Sequence, residues 1–225
     1  YVGENLSYPD EKLFTFYLDE FETKLFDLPE GVYTCLIENE DCEEQILTPG
    51  MDDEIFSRTK VPMTKNEVRV LSISRLELTK KAVVYDVGSG TGSVSAECAR
   101  LSHDIVVFAI EQKEEAANLT KENAARLGLS DQIVVINKKA PEGFEELPTP
   151  THVFIGGSSG VLSDILSAIQ KKLIVKENTK GVRVVINAVS LETIAQITKL
   201  IQTYPVKHVQ LRFRQAERIS LDHTI

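Results

Sequence analysis

"VVYDVGSGTGSVSAE", residues 83–97, passes from an apolar β-branched run through three glycines in five residues and straight into a helical pattern. A strand that feeds a helix through such a turn opens an α/β crossover unit. Glycine tolerates positive φ and lets the backbone come close to a ligand, while the first N–H groups of the helix lack intrahelical partners. The turn therefore predicts a small ligand with a polar or anionic tail. The spacing Gly88, Gly90, Gly92, Ser93 departs from the dinucleotide fingerprint G-x-G-x-x-G, which would need glycine at 93.

From Lys81 onward the same rhythm repeats. Strands are expected over 82–88, 104–111, 132–140, 151–157, 181–189 and 206–213, with helices over 93–101, 113–127, 160–173 and 191–204. Strands that are apolar nearly throughout imply a sheet covered on both faces, and helical crossovers are what parallel pairing requires. The expected fold class is α/β, a Rossmann-like doubly wound and mostly parallel sheet. Local signals agree with it. Gly128 ends the second helix as a left-handed residue, Ser190 caps the fourth, and Pro205 stops it. Val161, Ile165, Ile169 and Leu173 stack on one face of the third. A further helix over 63–78 precedes the first strand, with Thr64 or Met63 near its start.

Charge divides the chain. Residues 1–48 carry 13 acidic groups against 2 lysines, whereas residues 49–225 carry 21 acidic and 23 basic groups, so the formal charge of −9 averages two unlike units. In the first unit "KLFTFYLDEF" (12–21) and "GVYTCLIEN" (31–39) read as strands, and "ENEDCEEQ" (38–45) as an acidic linker. So short a piece rarely folds alone, which makes it the tail of another domain. Neither unit has the basic surface that nucleic acid demands. No apolar run approaches the ~18 residues of a membrane span and no signal peptide is visible, so no membrane partner and a cytoplasmic location are expected. Cys35, Cys42 and Cys98 form no metal or disulfide pattern, and His103, His152, His208 and His223 are scattered. No metal and no catalytic side chain are assigned.

The next strand ends in Glu111, 21 residues after Gly90. At that distance an acidic side chain accepts hydrogen bonds from both ribose hydroxyls of an adenosine. Glycine turn, helix and acidic strand end together describe a nucleoside site, and the alternative is a tight connection in an α/β protein that binds nothing. With Asp86 just ahead of the turn, the pattern resembles the S-adenosylmethionine site of class I methyltransferases more than an NAD site.

Further segments narrow the resemblance. "PMTKNEVRVLSISRL" (62–76), "YDVGSGTGSVSAECA" (85–99), "FAIEQKEEAANLTKENAARLGL" (108–129), "KKAPEG" (138–143) and "VFIGGSSGVLSDIL" (153–166) resemble the decarboxylating C15-methyltransferases of vitamin B12 biosynthesis. Those enzymes act on precorrin-6B or its cobalt form, and also occur as the C-terminal half of fused precorrin-6Y C5,15-methyltransferases. The likeness covers about residues 50–220. Residues 1–40, with "GENLSYPDEKL", resemble the closing segment of the C5-methylating tetrapyrrole methylase domain. The resemblance implies domains at 1–48 and 49–225, the second lacking its last strand after "RFRQAERISLDHTI". It also implies S-adenosyl-L-methionine as cofactor, a tetrapyrrole substrate and a homo-oligomer, often a tetramer. Cofactor contacts are implied at Thr64, Gly88, Ser89, Gly90, Thr91, Gly92, Glu111 and Ala140. The alternative reading makes Thr64 a helix cap and Ala140 a packing residue.

Methyl transfer to an electron-rich carbon needs positioning more than a strong base. What remains is to hold many carboxylates, a task for Arg and Lys. Two segments carry net +3 each: 56–69, with Arg58, Lys60, Lys65 and Arg69, and 206–218, with Lys207, Arg212, Arg214 and Arg218. Arg58, Arg69 and Arg214 are the substrate candidates there, and solvated surface charge is the other reading. "FIGGSSG" (154–160) ends the fourth strand without the N-P-P-[YF] of amino-methylating nucleic-acid enzymes. Gly156, Gly157 and Ser158 leave room there for a bulky anion, or form a tight helix start. Two alternatives stand beside the C-methyltransferase: a tRNA adenine methyltransferase of the same fold, and a non-catalytic nucleoside-binding module.

Overall fold

The computed structural model describes residues 1–20, 31–38, 48–175 and 181–202. Two compact units result, Tyr1–Ile46 and Leu47–Ile225. In the first, strands β1 (Val2–Glu4), β2 (Lys12–Phe14) and β3 (Tyr33–Cys35) form an antiparallel sheet in the order β2-β1-β3. The two strands expected from sequence do not pair with each other, because the three-residue β1 lies between them. Residues 39–45 of the expected acidic linker lie outside the described residues.

Among its described residues the second unit holds five parallel strands: β4 (Val83–Val87), β5 (Val106–Ile110), β6 (Ile133–Ile136), β7 (His152–Ile155) and β8 (Arg183–Ile186). Their order is β6-β5-β4-β7-β8. The chain winds outward from β4 to β6, then crosses back to β7, so the direction reverses between β4 and β7. Ligands bind in open α/β sheets outside the carboxyl ends of the strands at such a point. Helices are α1 (Asn66–Leu76), α2 (Ser93–Ala99), α3 (Glu114–Arg126), α4 (Leu162–Val175) and α5 (Leu191–Ile201).

The strands alternate their side chains between two apolar layers. Val84, Val107 and Ile133 pack under α1, α2 and α3 with Ile73, Leu76, Val94 and Ala124. Tyr85, Val87, Phe108 and Ile155 face the other way onto Leu162, Ile165 and Ile169 of α4 and Ile197 of α5. The doubly wound sheet expected from sequence is the one observed. Ser190 Oγ accepts from the Thr193 amide at 3.2 Å, and Gly128 adopts φ +66° at the end of α3. Among the described residues no helix is long and apolar enough to cross a membrane. The strand expected over 206–213 and the stop at Pro205 lie outside the described residues.

Candidate functional site

At the carboxyl end of β4, left-handed glycines bring the backbone close to its neighbours. Gly88 has φ +75°, and a Cβ there would lie 2.8 Å from the Gly157 carbonyl oxygen. Gly90 has φ +59°, and a Cβ there would lie 2.8 Å from the Pro62 carbonyl oxygen. The turn is thus wedged between the loop after β7 and the segment leading to α1. Its N–H groups are already used: Gly88 and Ser89 donate to the Ile110 carbonyl, Gly92 to the Ser89 carbonyl, and Gly90 to Glu111 Oε2 at 3.1 Å. A phosphate would therefore find no free donor at these four turn positions.

The carboxylates complete the picture. Glu111 is buried, and its Oε1 accepts from the Lys113 amide at 2.9 Å, so two backbone donors fix its carboxylate at the edge of the cleft. Asn137 Nδ2 donates to the Glu111 carbonyl at 2.9 Å and ties β6 to the same corner. Asp86, wholly buried, accepts from Ser95 Oγ at 2.5 Å through Oδ2, while Oδ1 has no partner. Burial pushes the Asp86 carboxyl up to about 6 against the lowering effect of Ser95, and the charge on Glu111 adds to the rise. Glu111 presents its carboxylate to the cleft, which suits hydroxyl groups such as those of an adenosine ribose, whereas Asp86 is enclosed behind the turn.

A single cleft of about 1280 Å³ opens over these groups. That exceeds the roughly 300–1,000 Å³ of an ordinary small-molecule pocket and leaves space for two ligands. Thr64, Gly88, Ser89, Gly90, Glu111, Ala140, Gly156, Gly157 and Ser158 all line it. Thr91 and Gly92 do not; they are buried behind the turn, where Asn123 Nδ2 holds the Thr91 carbonyl at 2.8 Å. Thr64 is no helix cap: Lys65 occupies that position, and the first side chain of the helix is Asn66. Gln112 Nε2 reaches Ser159 Oγ at 2.8 Å, linking the loops after β5 and β7.

The arginines behave otherwise. Arg58 is exposed and lines no part of the cleft. Arg69 is a correction to the sequence reading: it is fully buried, bonded to Asp53, Glu97 and backbone carbonyls, and lines no part of the cleft, so it meets no substrate carboxylate there. Arg214 lies outside the described residues. Lys60, from the basic segment 56–69, lies on the cleft rim instead, together with Lys113, Lys138 and Lys139. Opposite the glycine turn, Val68 and Leu71 of α1, Ile186 at the end of β8, and Ile194 and Ile197 of α5 form an apolar wall.

Strand order, glycine turn and acidic strand end define the Rossmann-like fold of S-adenosylmethionine-dependent methyltransferases. A SAM-dependent O-methyltransferase from Thermotoga maritima shares that fold at a TM-score of 0.53, with 22% identity over 66% of this chain and 52% of that one. Residues 54–224 match the precorrin methyltransferase domain, and the chain belongs to that family. A Pyrobaculum calidifontis relative named "Probable cobalt-precorrin-6B C(15)-methyltransferase (decarboxylating)" is 42% identical over 65% of this chain and 73% of its own length. The crystal structure of precorrin-6Y C5,15-methyltransferase from Geobacter metallireducens superposes with a TM-score of 0.63. It is 33% identical and covers 69% of this chain and 78% of that one.

Proposed function

We propose that this chain is an S-adenosylmethionine-dependent C-methyltransferase that methylates C15 of a cobalt-precorrin-6B-type tetrapyrrole and releases the C12 acetate carboxyl as carbon dioxide. The relative from Pyrobaculum and its counterparts in other archaea carry that activity in their names. The observation that carries the reading to these residues is the cleft, in which a nucleoside corner and a large apolar wall share one space. Bound there, S-adenosylmethionine would supply an electrophilic methyl group. Glu111 would accept from the ribose hydroxyls, Gly88 and Gly90 would let the ligand lie against the backbone, and Ala140 would border the base.

The chain's own part in the chemistry is positioning. A methyl transfer to carbon gains most of its rate from holding the two reacting atoms in line and close. The apolar wall suits the face of a macrocycle, and Lys60, Lys113, Lys138 and Lys139 suit its peripheral carboxylates as point charges. The conjugated ring, made electron-poor by the arriving methyl cation, would serve as the sink for the pair left by the departing carbon dioxide, with no side chain needed for it. The relatives do not favour the tRNA adenine methyltransferase or the non-catalytic module. The same proposal includes a cytoplasmic homo-oligomer, and residues 1–48 as the end of a tetrapyrrole methylase domain.

Incubation with S-adenosylmethionine and cobalt-precorrin-6B tests the reading. One methyl gained and one carbon dioxide lost per S-adenosylhomocysteine formed is the expected result. Methylation of tRNA, or no turnover with the tetrapyrrole under conditions where S-adenosylhomocysteine binds, would contradict it.

A further inference from the structure

The guanidinium of Arg69, buried without any solvent exposure, reaches four acceptors. Nη1 donates to Asp53 Oδ1 at 3.0 Å and to the Thr64 carbonyl at 2.7 Å, Nη2 to the Met51 carbonyl, and Nε to Glu97 Oε1 at 3.3 Å. The Phe56 ring covers it, 5.0 Å from the guanidinium carbon to the ring centroid. Glu97 Oε1 also accepts from the amides of Gly50 at 2.9 Å and Met51 at 2.7 Å. Both ends of segment 50–65 are therefore tied to one buried ion pair. The stretch near its end, Val61 to Thr64, lines the cleft, and the Pro62 carbonyl abuts Gly90. Glu97 itself sits on α2, the helix that grows out of the glycine turn.

A buried ion pair is weak evidence for stability, because apolar replacements are often as stable; what it can fix is geometry. We propose that Arg69 is a positioning residue which, through Glu97 and Asp53, locks segment 50–65 over the glycine turn and so sets the affinity of the cleft for its adenosyl ligand. Lysine cannot replace it: one ammonium is a point charge, whereas the planar fork spans carboxylates and carbonyls on several sides at once. The proposal rests on the cofactor reading given above and adds to it a residue outside the cleft.

The test compares wild type, Arg69→Lys and Asp53→Asn, with Ile169→Val on α4 as a control of stability alone. S-adenosylhomocysteine affinity is measured by calorimetry, melting temperature by circular dichroism, and hydrogen exchange at the amides of residues 57–64. Arg69→Lys is expected to weaken binding about tenfold, the worth of one charge-assisted hydrogen bond, and to speed exchange in 57–64. Asp53→Asn does the same to a smaller degree and stands in if the lysine variant fails to fold. Ile169→Val lowers the melting temperature and leaves affinity unchanged. Wild-type affinity in both polar variants, with melting temperatures lowered as in the control, would overturn the proposal. So would unchanged exchange in 57–64. Should wild type bind no S-adenosylhomocysteine, the cofactor reading fails, and the exchange rates alone then judge Arg69.

Discussion

Replacing Asp86 by Asn asks what a buried carboxyl at the root of the glycine turn costs the fold. Its side chain is wholly enclosed, with one oxygen bonded to Ser95 and the other unpartnered. Burial raises its pKa from 3.8 to about 6, so the folded chain holds this proton more tightly than the unfolded chain. Between those values the folded state binds more protons, and stability falls as the pH rises through the window. Below the lower value the contribution is fully present; above the upper one it is lost. About two pKa units correspond to about 3 kcal/mol. Asparagine cannot ionise and contributes no such slope. Urea unfolding of both proteins from about pH 4 to about pH 8 should show the variant gaining about 3 kcal/mol on wild type as the pH rises. Parallel curves would refute the reasoning. A variant that loses ground with rising pH would mean that the ionised form finds a partner for its free oxygen.

Other perturbations read other parts of the structure. Gly90→Ala forces a Cβ against the Pro62 carbonyl in a left-handed conformation, and should lower stability by about 1–2 kcal/mol for the backbone alone and weaken S-adenosylhomocysteine binding, seen by melting and calorimetry. Ser190→Ala removes the bond to the Thr193 amide and should cost about 1 kcal/mol in a denaturant melt without touching ligand affinity. Alanine at Lys138 and Lys139 together should raise KM for the tetrapyrrole while the affinity for S-adenosylhomocysteine stays at the wild-type value. A KM unchanged in steady-state kinetics would remove these lysines from substrate binding.

The five described strands of the α/β unit were legible because their sequences are apolar on both faces, and the caps at Gly128 and Ser190 because each residue has one conformational use there. Strand β1 was missed: "VGE" is too short for any alternation, and only its two neighbours give it a place. The error at Arg69 has a clear physical source. Residues 69, 72, 73 and 76 form the buried face of α1, at spacings of i, i+3, i+4 and i+7, so Arg69 shares a stripe with Ile73 and Leu76. Val68 and Leu71 face the cleft instead. With apolar residues on both sides of the helix, no single inward face could be read, and the arginine was assigned by charge alone. Lys138 and Lys139 follow β6 directly, but a lysine pair has the same appearance on any surface. Only the fold brings it to the mouth of the cleft.

The most direct measurement is calorimetric titration of S-adenosylhomocysteine into wild type and into Glu111→Gln. The amides of Gly90 and Lys113 both donate to the Glu111 carboxylate, and an amide side chain cannot accept both bonds with two oxygens. The account predicts binding at one site per chain, weakened about tenfold or more in the variant, whose melting temperature also falls because one backbone amide loses its acceptor. Equal affinity in the two proteins, or no heat from wild type, would contradict it.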